Sequence, residues 1–227
     1  GFNRPITIAN NAIERHGVGI LLENTRDALM TQNYISLAYF FNLPIAGIRL
    51  NNCPYSVVDS NNIVAVSPNS QFMTGVDVHL SAACHIKSNC ISNIRRGVAV
   101  GGSSLETKVY TNSFSNVLRG FYLHDMGLTG PNHYTYSSTN AGGNPVGYLM
   151  PQDNKWTNMF PGSNQVWSNS AIANLSPWYF RNSYAGIGTE YEDIYDPIAR
   201  SPGNLPIGYN YFITDPNVFV PAASSCV

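Results

Sequence analysis

The sequence predicts a parallel β-helix, and a repeated asparagine, a repeated glycine and the spacing between them carry the prediction. Asparagine recurs at Asn11, Asn33, Asn61, Asn89 and Asn112, followed two residues later by Ile13, Ile35, Ile63, Ile91 and Phe114. A glycine then opens an apolar pair in each unit: Gly19-Ile20, Gly47-Ile48, Gly75-Val76, Gly97-Val98 and Gly120-Phe121. A period of roughly 20–30 residues indicates one structural unit stacked on itself.

The spacing tests the repeat. Successive asparagines lie 22, 28, 28 and 23 residues apart, and each glycine precedes the next asparagine by 14, 14, 14 and 15. From asparagine to glycine the distances are 8, 14, 14, 8 and 8. One half of the unit is therefore constant, while the other absorbs six extra residues in two consecutive turns. Stacked coils behave in this way, because an insertion bulges from one corner without disturbing the strands above and below.

Aligned blocks locate the strands. The segments 6–13, 28–35, 56–63, 84–91 and 107–114 superimpose without gaps, placing Ile8, Met30, Val58, Ile86 and Val109 in one apolar column. Ile13 through Phe114 form a second column. After each glycine, period-two alternation puts Ile20/Leu22, Ile48/Leu50, Val76/Val78, Val98/Val100 and Phe121/Leu123 on one face. The i, i+3, i+4, i+7 pattern of an amphipathic helix is not sustained. Asparagine suits the corner between two strands because it tolerates left-handed backbone. Stacked coil on coil, its amides are also expected to bond along the axis.

Composition narrows the function classes. The chain has 227 residues, 11% of them charged, with a formal net charge of −1, so it carries no basic footprint for nucleic acid. No apolar run approaches the ~20 residues needed to span a bilayer, and no signal-peptide pattern is present. The regular coils are expected over 1–125. A projecting loop rich in Gly, Pro, Ser, Thr and Tyr follows over 126–150, then degenerate coils and a cap or linker over 151–227. The repeat resumes at Asn154 with Trp156 in the apolar position, and Val166-Trp167 and Trp178-Tyr179-Phe180 read as further strands. Gly1 enters the first coil without a capping element, which suggests a fragment of a longer chain joined to other domains.

Cys53, Cys84, Cys90 and Cys226 show no CxxC spacing, so no structural zinc site is expected. Cys84 and Cys90 bracket one strand, too far apart to bridge. Cys53 and Cys84 lie in adjacent coils, and Cys226 is open to pairing elsewhere; buried unpaired thiols are the competing reading. No cofactor is expected. The acidic run Glu190–Asp196 is the sole candidate for calcium, but it lacks the order and glycine of an EF-hand loop and reads better as solvated.

The repeat also predicts which polar side chains share a surface. Leu21, Arg49, Asp77, Ala99 and Tyr122 form one outward column, and Glu23, Asn51, His79, Gly101 and His124 the next. With coils about 4.8 Å apart, Arg49 and Asp77 stand side by side, His79 and Glu23 lie nearby, and His124-Asp125 lies two coils further on. Glu23, Asn51 and Tyr122 are the candidate ligand-binding groups of a shallow groove for a polysaccharide or surface glycan. A catalytic reading competes, in which Arg49, Asp77, His79, His124 and Asp125 serve a lyase or hydrolase. Asp77 and Asp125 would then be the carboxylate pair, about 9.6 Å apart at the backbone if two coils separate them. A lyase would instead use Arg49 or His79 as base. The structural alternative treats Arg49–Asp77 as an exposed ion pair worth about 0–1 kcal/mol.

The coil pattern, as in Ser60-Asn61-Asn62-Ile63 and Thr74-Gly75-Val76-Asp77-Val78, resembles the right-handed β-helix repeat of the pectate-lyase-like superfamily. The resemblance covers about residues 5–125 well. It implies fold more than activity, since that superfamily includes lyases, hydrolases, epimerases, phage tailspikes and non-catalytic surface proteins. The NTD, DD, GHG and RIK motifs of its polygalacturonases are absent; His85-Ile86-Lys87 lacks the leading arginine. The second half, through Asn154-Lys155-Trp156, Val166-Trp167-Ser168-Asn169, Pro177-Trp178-Tyr179-Phe180 and the 219–226 segment, resembles large secreted Bacteroidetes proteins exported by type IX secretion. That resemblance implies an extracellular or cell-surface location.

Overall fold

The computed structural model describes residues 5–38, 45–66, 73–128, 134–139, 145–150, 154–157, 164–168, 178–181 and 212–215. Side chains are described as far as Leu123, except Arg15 and His16, and at Asn154. Three parallel sheets form the walls of a coil stack. The first wall holds β1 (Thr7–Ala9), β4 (Leu29–Thr31), β7 (Val57–Asp59), β10 (His85–Lys87) and β13 (Lys108–Tyr110). The second holds β2 (Ala12–His16), β5 (Tyr34–Leu37), β8 (Asn62–Ala65), β11 (Cys90–Ser92), β14 (Ser113–Ser115) and β18 (Lys155–Thr157). The third holds β3 (Val18–Glu23), β6 (Ile45–Asn51), β9 (Met73–His79), β12 (Arg96–Ser103), β15 (Arg119–Leu128) and β19 (Asn164–Ser168).

The register reproduces the sequence columns. Ile8, Met30, Val58, Ile86 and Val109 are successive partners in the first wall. Ile13, Ile35, Ile63, Ile91, Phe114 and Trp156 are successive partners in the second. Apart from the half-buried Ile8 and Ile13 of the first coil, the described side chains of both columns are buried in one continuous core. The extra residues of the two long coils fall between β5 and β6 and between β8 and β9. Those stretches, 39–44 and 67–72, lie outside the described residues, as does the acidic run at 190–196. Within the 126–150 segment, β16 (Tyr134–Thr139) and β17 (Pro145–Met150) pair as an antiparallel hairpin. Further on, β20 (Trp178–Arg181) pairs in parallel with β21 (Phe212–Asp215). No helix among the described residues is long and apolar enough to cross a membrane.

The asparagine column is a continuous hydrogen-bonded ladder with a sixth rung at Asn154. Each Nδ2 donates to the Oδ1 of the next rung, at 2.9 Å for Asn11–Asn33, Asn33–Asn61 and Asn89–Asn112 and at 3.0 Å for Asn61–Asn89 and Asn112–Asn154. The backbone N–H of each of the first five rungs donates to the same oxygen. The left-handed residue of this corner is not the ladder asparagine, as the sequence suggested, but the one before it. Asn10, Gln32, Ser60, Ser88 and Thr111 have φ of 58°, 55°, 55°, 53° and 53°. That preceding residue makes the turn, which leaves the asparagine side chain buried and facing its neighbours in the stack.

Two shorter polar ladders run beside it. Cys53 N–H donates to Ser81 Oγ at 2.9 Å and Ser81 N–H to Ser104 Oγ at 3.1 Å, while Cys84 N–H donates to Thr107 Oγ1 at 3.2 Å. Cys53 and Cys84, the adjacent-coil pair, are buried free thiols, whereas Cys90 is disulfide-bonded. The Cys84 thiol donates to the Cys53 carbonyl at 3.2 Å, and burial pushes its pKa up to about 11. Cys226 lies outside the described residues.

A third corner, at the end of the third wall, also uses left-handed backbone. Asn24, Asn52, Leu80 and Gly102 occupy it with φ of 51°, 55°, 50° and 61°. Asn52 Nδ2 donates to Asn24 Oδ1 at 2.8 Å, so a short exposed ladder stops where Leu80 begins. A leucine in this conformation costs about 1–2 kcal/mol, which asparagine tolerates better. Leu80→Asn is therefore expected to stabilise the protein by about 1 kcal/mol, a rise in Tm of roughly 2–4 °C. Thermal unfolding checks it; a lower Tm would show that the apolar contacts of this half-exposed side chain outweigh the backbone strain.

The first wall carries a pH-sensitive group. His85 Nδ1 lies 3.1 Å from Tyr110 Oη, and the two rings meet edge-on at 5.9 Å. Burial, followed by the nearby Lys108 and Lys87, lowers the pKa of His85 below its ordinary 6.5. The unfolded chain consequently binds a proton that the folded chain resists. This contribution is complete above about pH 6.5 and is lost as the pH falls toward the folded pKa. Stability is expected to decline with acidification through that window, and His85→Gln to flatten the decline in urea titrations at pH 7 and pH 5. An unchanged pH dependence in the variant would show that other groups govern it.

Candidate functional site

The third wall has an outer face on which the two expected columns stand in register. Leu21, Arg49, Asp77, Ala99, Tyr122 and Trp167 are successive backbone partners. Glu23, Asn51, His79, Gly101 and His124 are partners in the neighbouring column. The inward Ile48, Leu50, Val76, Val78, Val98 and Val100 are buried and hold the alternate positions rigid against the core. Arg49 Nε donates to Asp77 Oδ2 at 2.9 Å, with 28% and 20% of the two side chains exposed. A guanidinium already donating to a carboxylate acts as a fixed cation, which does not suit it to the role of base. Asn51 and His79 are half-buried beside this pair, and Glu23 is exposed one coil before Asn51.

The more distant members are placed by backbone alone. His124 pairs with Gly101, but the register then shifts: Gly101 to Ser103 in β12 is matched by His124 to Leu128 in β15. Asp125 falls within this irregular stretch, so coil spacing alone no longer gives its distance from Asp77. The side chains of His124 and Asp125 lie outside the described residues. Among the described residues, no three His, Cys, Asp or Glu side chains gather in a way that could hold a metal ion.

Sequence reasoning missed a cationic cluster at the start of the same wall. Arg96 and Arg119 are backbone partners, and their guanidinium carbons lie 4.6 and 5.1 Å from the centroid of the Tyr122 ring. Tyr122 is only 5% exposed, so its outward position is covered rather than open. Ala99, the smallest described side chain in that column, belongs to the coil of Arg96 and leaves room for its arginine to reach Tyr122. The Nε atoms of Arg95 and Arg96 are buried without a hydrogen-bond partner. A buried donor left unsatisfied costs about 1–3 kcal/mol, and more when it is charged. Burial lowers the pKa of Arg119; Tyr122 opposes that effect, and Arg95 and Arg96 add to it. The available signal was positional, because Arg96 and Arg119 each directly precede a repeat glycine.

Residues 3–114 match a family model described as the right handed beta helix region. The described coils form a right-handed parallel β-helix. No curated protein matches the chain. Among solved structures, the chain is similar to pectate lyase C from Erwinia chrysanthemi, determined at pH 9.5 with 30 mM Ca2+: 13% identity and a TM-score of 0.41, over 70% of this chain and 58% of that one. It is also similar to an arginine-to-lysine variant of pectate lyase C in complex with pentagalacturonic acid: 13% identity and a TM-score of 0.39, over 68% and 57%. The chain thus spans less than two thirds of each of those proteins. Within the β-helix, both the Arg49–Asp77 pair and the arginine cluster lie on the third wall.

Proposed function

We propose that the chain is a secreted or cell-surface β-helix module that binds carbohydrate along the outer face of the third wall. The observation that carries this reading is the half-exposed Arg49–Asp77 pair, fixed at 2.9 Å on a rigid parallel sheet with Asn51 and His79 beside it. Such a row offers donors and acceptors at the coil repeat of about 4.8 Å, which suits the hydroxyl groups of an extended glycan. The disulfide at Cys90 and the low charge content support an oxidising, extracellular setting. Binding is favoured over catalysis because Arg49 is engaged as a donor, and the carboxylate proposed to act with Asp77 sits in an irregular stretch of β15.

The test is binding to a panel of neutral and acidic polysaccharides, with the same mixtures assayed for new reducing ends and unsaturated products. Binding weakened about tenfold by Asp77→Asn, with little change in Tm, is the expected result. Absence of binding across the panel, or an Asp77→Asn variant that binds as well as the parent, would refute it. Turnover abolished by Asp77→Asn would replace the binding reading with the catalytic one.

A further inference from the structure

We propose that Arg95, Arg96 and Arg119, gathered at the start of β12 and β15 beside Tyr122, bind an oxyanion borne by a glycan, either a carboxylate or a sulfate ester. The proposal rests on the glycan reading for the carrier of the charge, but not for the charge itself.

Other coils of the third wall do without these arginines. In the register of the third wall, Val18, Ala46 and Thr74 occupy the positions equivalent to Arg96 and Arg119. Ile45 and Met73, both fully buried, are partners at the position one residue earlier, where the next coil carries Arg95. Arg95 places a permanent cation, half-buried, where the two long coils carry an apolar residue, while Ile94 fills the core beside it. The Nε–H of Arg95, like that of Arg96, is buried without an acceptor. An oxygen of a bound anion would supply that acceptor.

The electrostatics point the same way. Three like charges are close enough for Arg95 and Arg96 to disfavour the protonated form of Arg119, an effect that adds to its burial. Asp77, the outward carboxylate of the adjacent coil, is held by Arg49. Guanidinium forks present paired N–H donors that match planar carboxylates and tetrahedral sulfates. Contact with the Tyr122 ring restricts two of the three forks, so less freedom is lost when an anion arrives.

The experiment measures binding of neutral, uronate-containing and sulfated oligosaccharides of matched length, and of inorganic sulfate alone, by calorimetry at two salt concentrations. One acidic oligosaccharide is expected to bind about tenfold or more tighter than its neutral counterpart, with the preference falling at high salt. The carboxylate and sulfate arms identify which group is taken. Arg96→Gln and Arg95→Met are each expected to erase most of that preference. Lys108→Gln, on another wall, should leave the preference intact.

Equal binding of neutral and acidic ligands, or arginine variants that keep the preference, would overturn the oxyanion site while leaving the glycan module standing. Saturable sulfate binding that is lost in Arg96→Gln, without binding of any oligosaccharide, would support the oxyanion site and sink the glycan carrier. Binding of neither oligosaccharide nor sulfate would refute both.

Discussion

Gly75→Ala is expected to destabilise the coil stack by about 3 kcal/mol or more, the upper end of what overpacking a core costs. A Cβ at this position would lie 2.6 Å from the Gly97 carbonyl oxygen and 2.7 Å from Ile91 Cγ2. Neither neighbour can yield easily. The carbonyl belongs to the next coil's backbone, and Ile91 is buried between Ile63 and Phe114 in the second wall. The same contact recurs at Gly19, Gly47 and Gly97, where the added Cβ would meet the next glycine carbonyl at 2.6, 2.6 and 2.4 Å. The glycine column is thus a line of closest approach between the second and third walls, and its cause is steric rather than a demand for unusual φ. Urea denaturation of Gly75→Ala and Gly47→Ala checks this. A loss within about 0.5 kcal/mol, the range of ordinary surface substitutions, would show that the walls can separate without cost.

Asn89→Ala is expected to cost about 3–5 kcal/mol, since several buried groups lose partners at about 1–3 kcal/mol each. Asn89 Oδ1 accepts from both the backbone N–H and the Nδ2 of Asn61, each at 3.0 Å. Its Nδ2 donates to the carbonyls of Val58 and Lys87 and to Asn112 Oδ1, at 2.9, 2.8 and 2.9 Å. Removing the side chain orphans groups on three coils together. Asn89→Asp is the sharper probe, because it keeps an acceptor for Asn61 but turns a carboxylate toward two carbonyls and Asn112. It is expected to be at least as damaging as alanine at pH 7, and less so at low pH where the acid is protonated. Chemical denaturation at pH 7 and pH 4 decides it. An Asn89→Asp variant as stable as the parent at pH 7 would show that the acceptor role alone matters.

How much of this was legible depended on whether a property repeats. The strands and the inward columns follow from apolar alternation at constant spacing, so one sequence supplied five aligned examples of each position. The Arg49–Asp77 pair was legible for the same reason: one residue in each of two coils, counted from the same glycine. The left-handed residue was misplaced by one because asparagine suits both the turn and the ladder, and composition cannot separate the two roles. The buried thiols and hydroxyls of Cys53, Ser81, Ser104, Cys84 and Thr107 differ in residue type while sharing a function, which hides a ladder from a search for identical letters. Arg95, Arg96 and Arg119 were overlooked because columns were counted forward from each glycine, whereas these side chains precede it. Arg96 then meets Tyr122, which lies three residues past its own partner Arg119 in the next coil, a diagonal contact that a column-by-column reading does not contain.

The asparagine ladder has a direction. In each of the five links the earlier rung donates an amide proton to the oxygen of the later one, so no link in the chain of amides is reversed. A whole unit can therefore be excised or duplicated in frame, and the severed rungs rejoin with the same donor facing the same acceptor. A unit inserted upside down would set donor against donor and acceptor against acceptor. Lineages carrying such a ladder are free to lengthen or shorten by complete turns, while every turn they keep must face the same way.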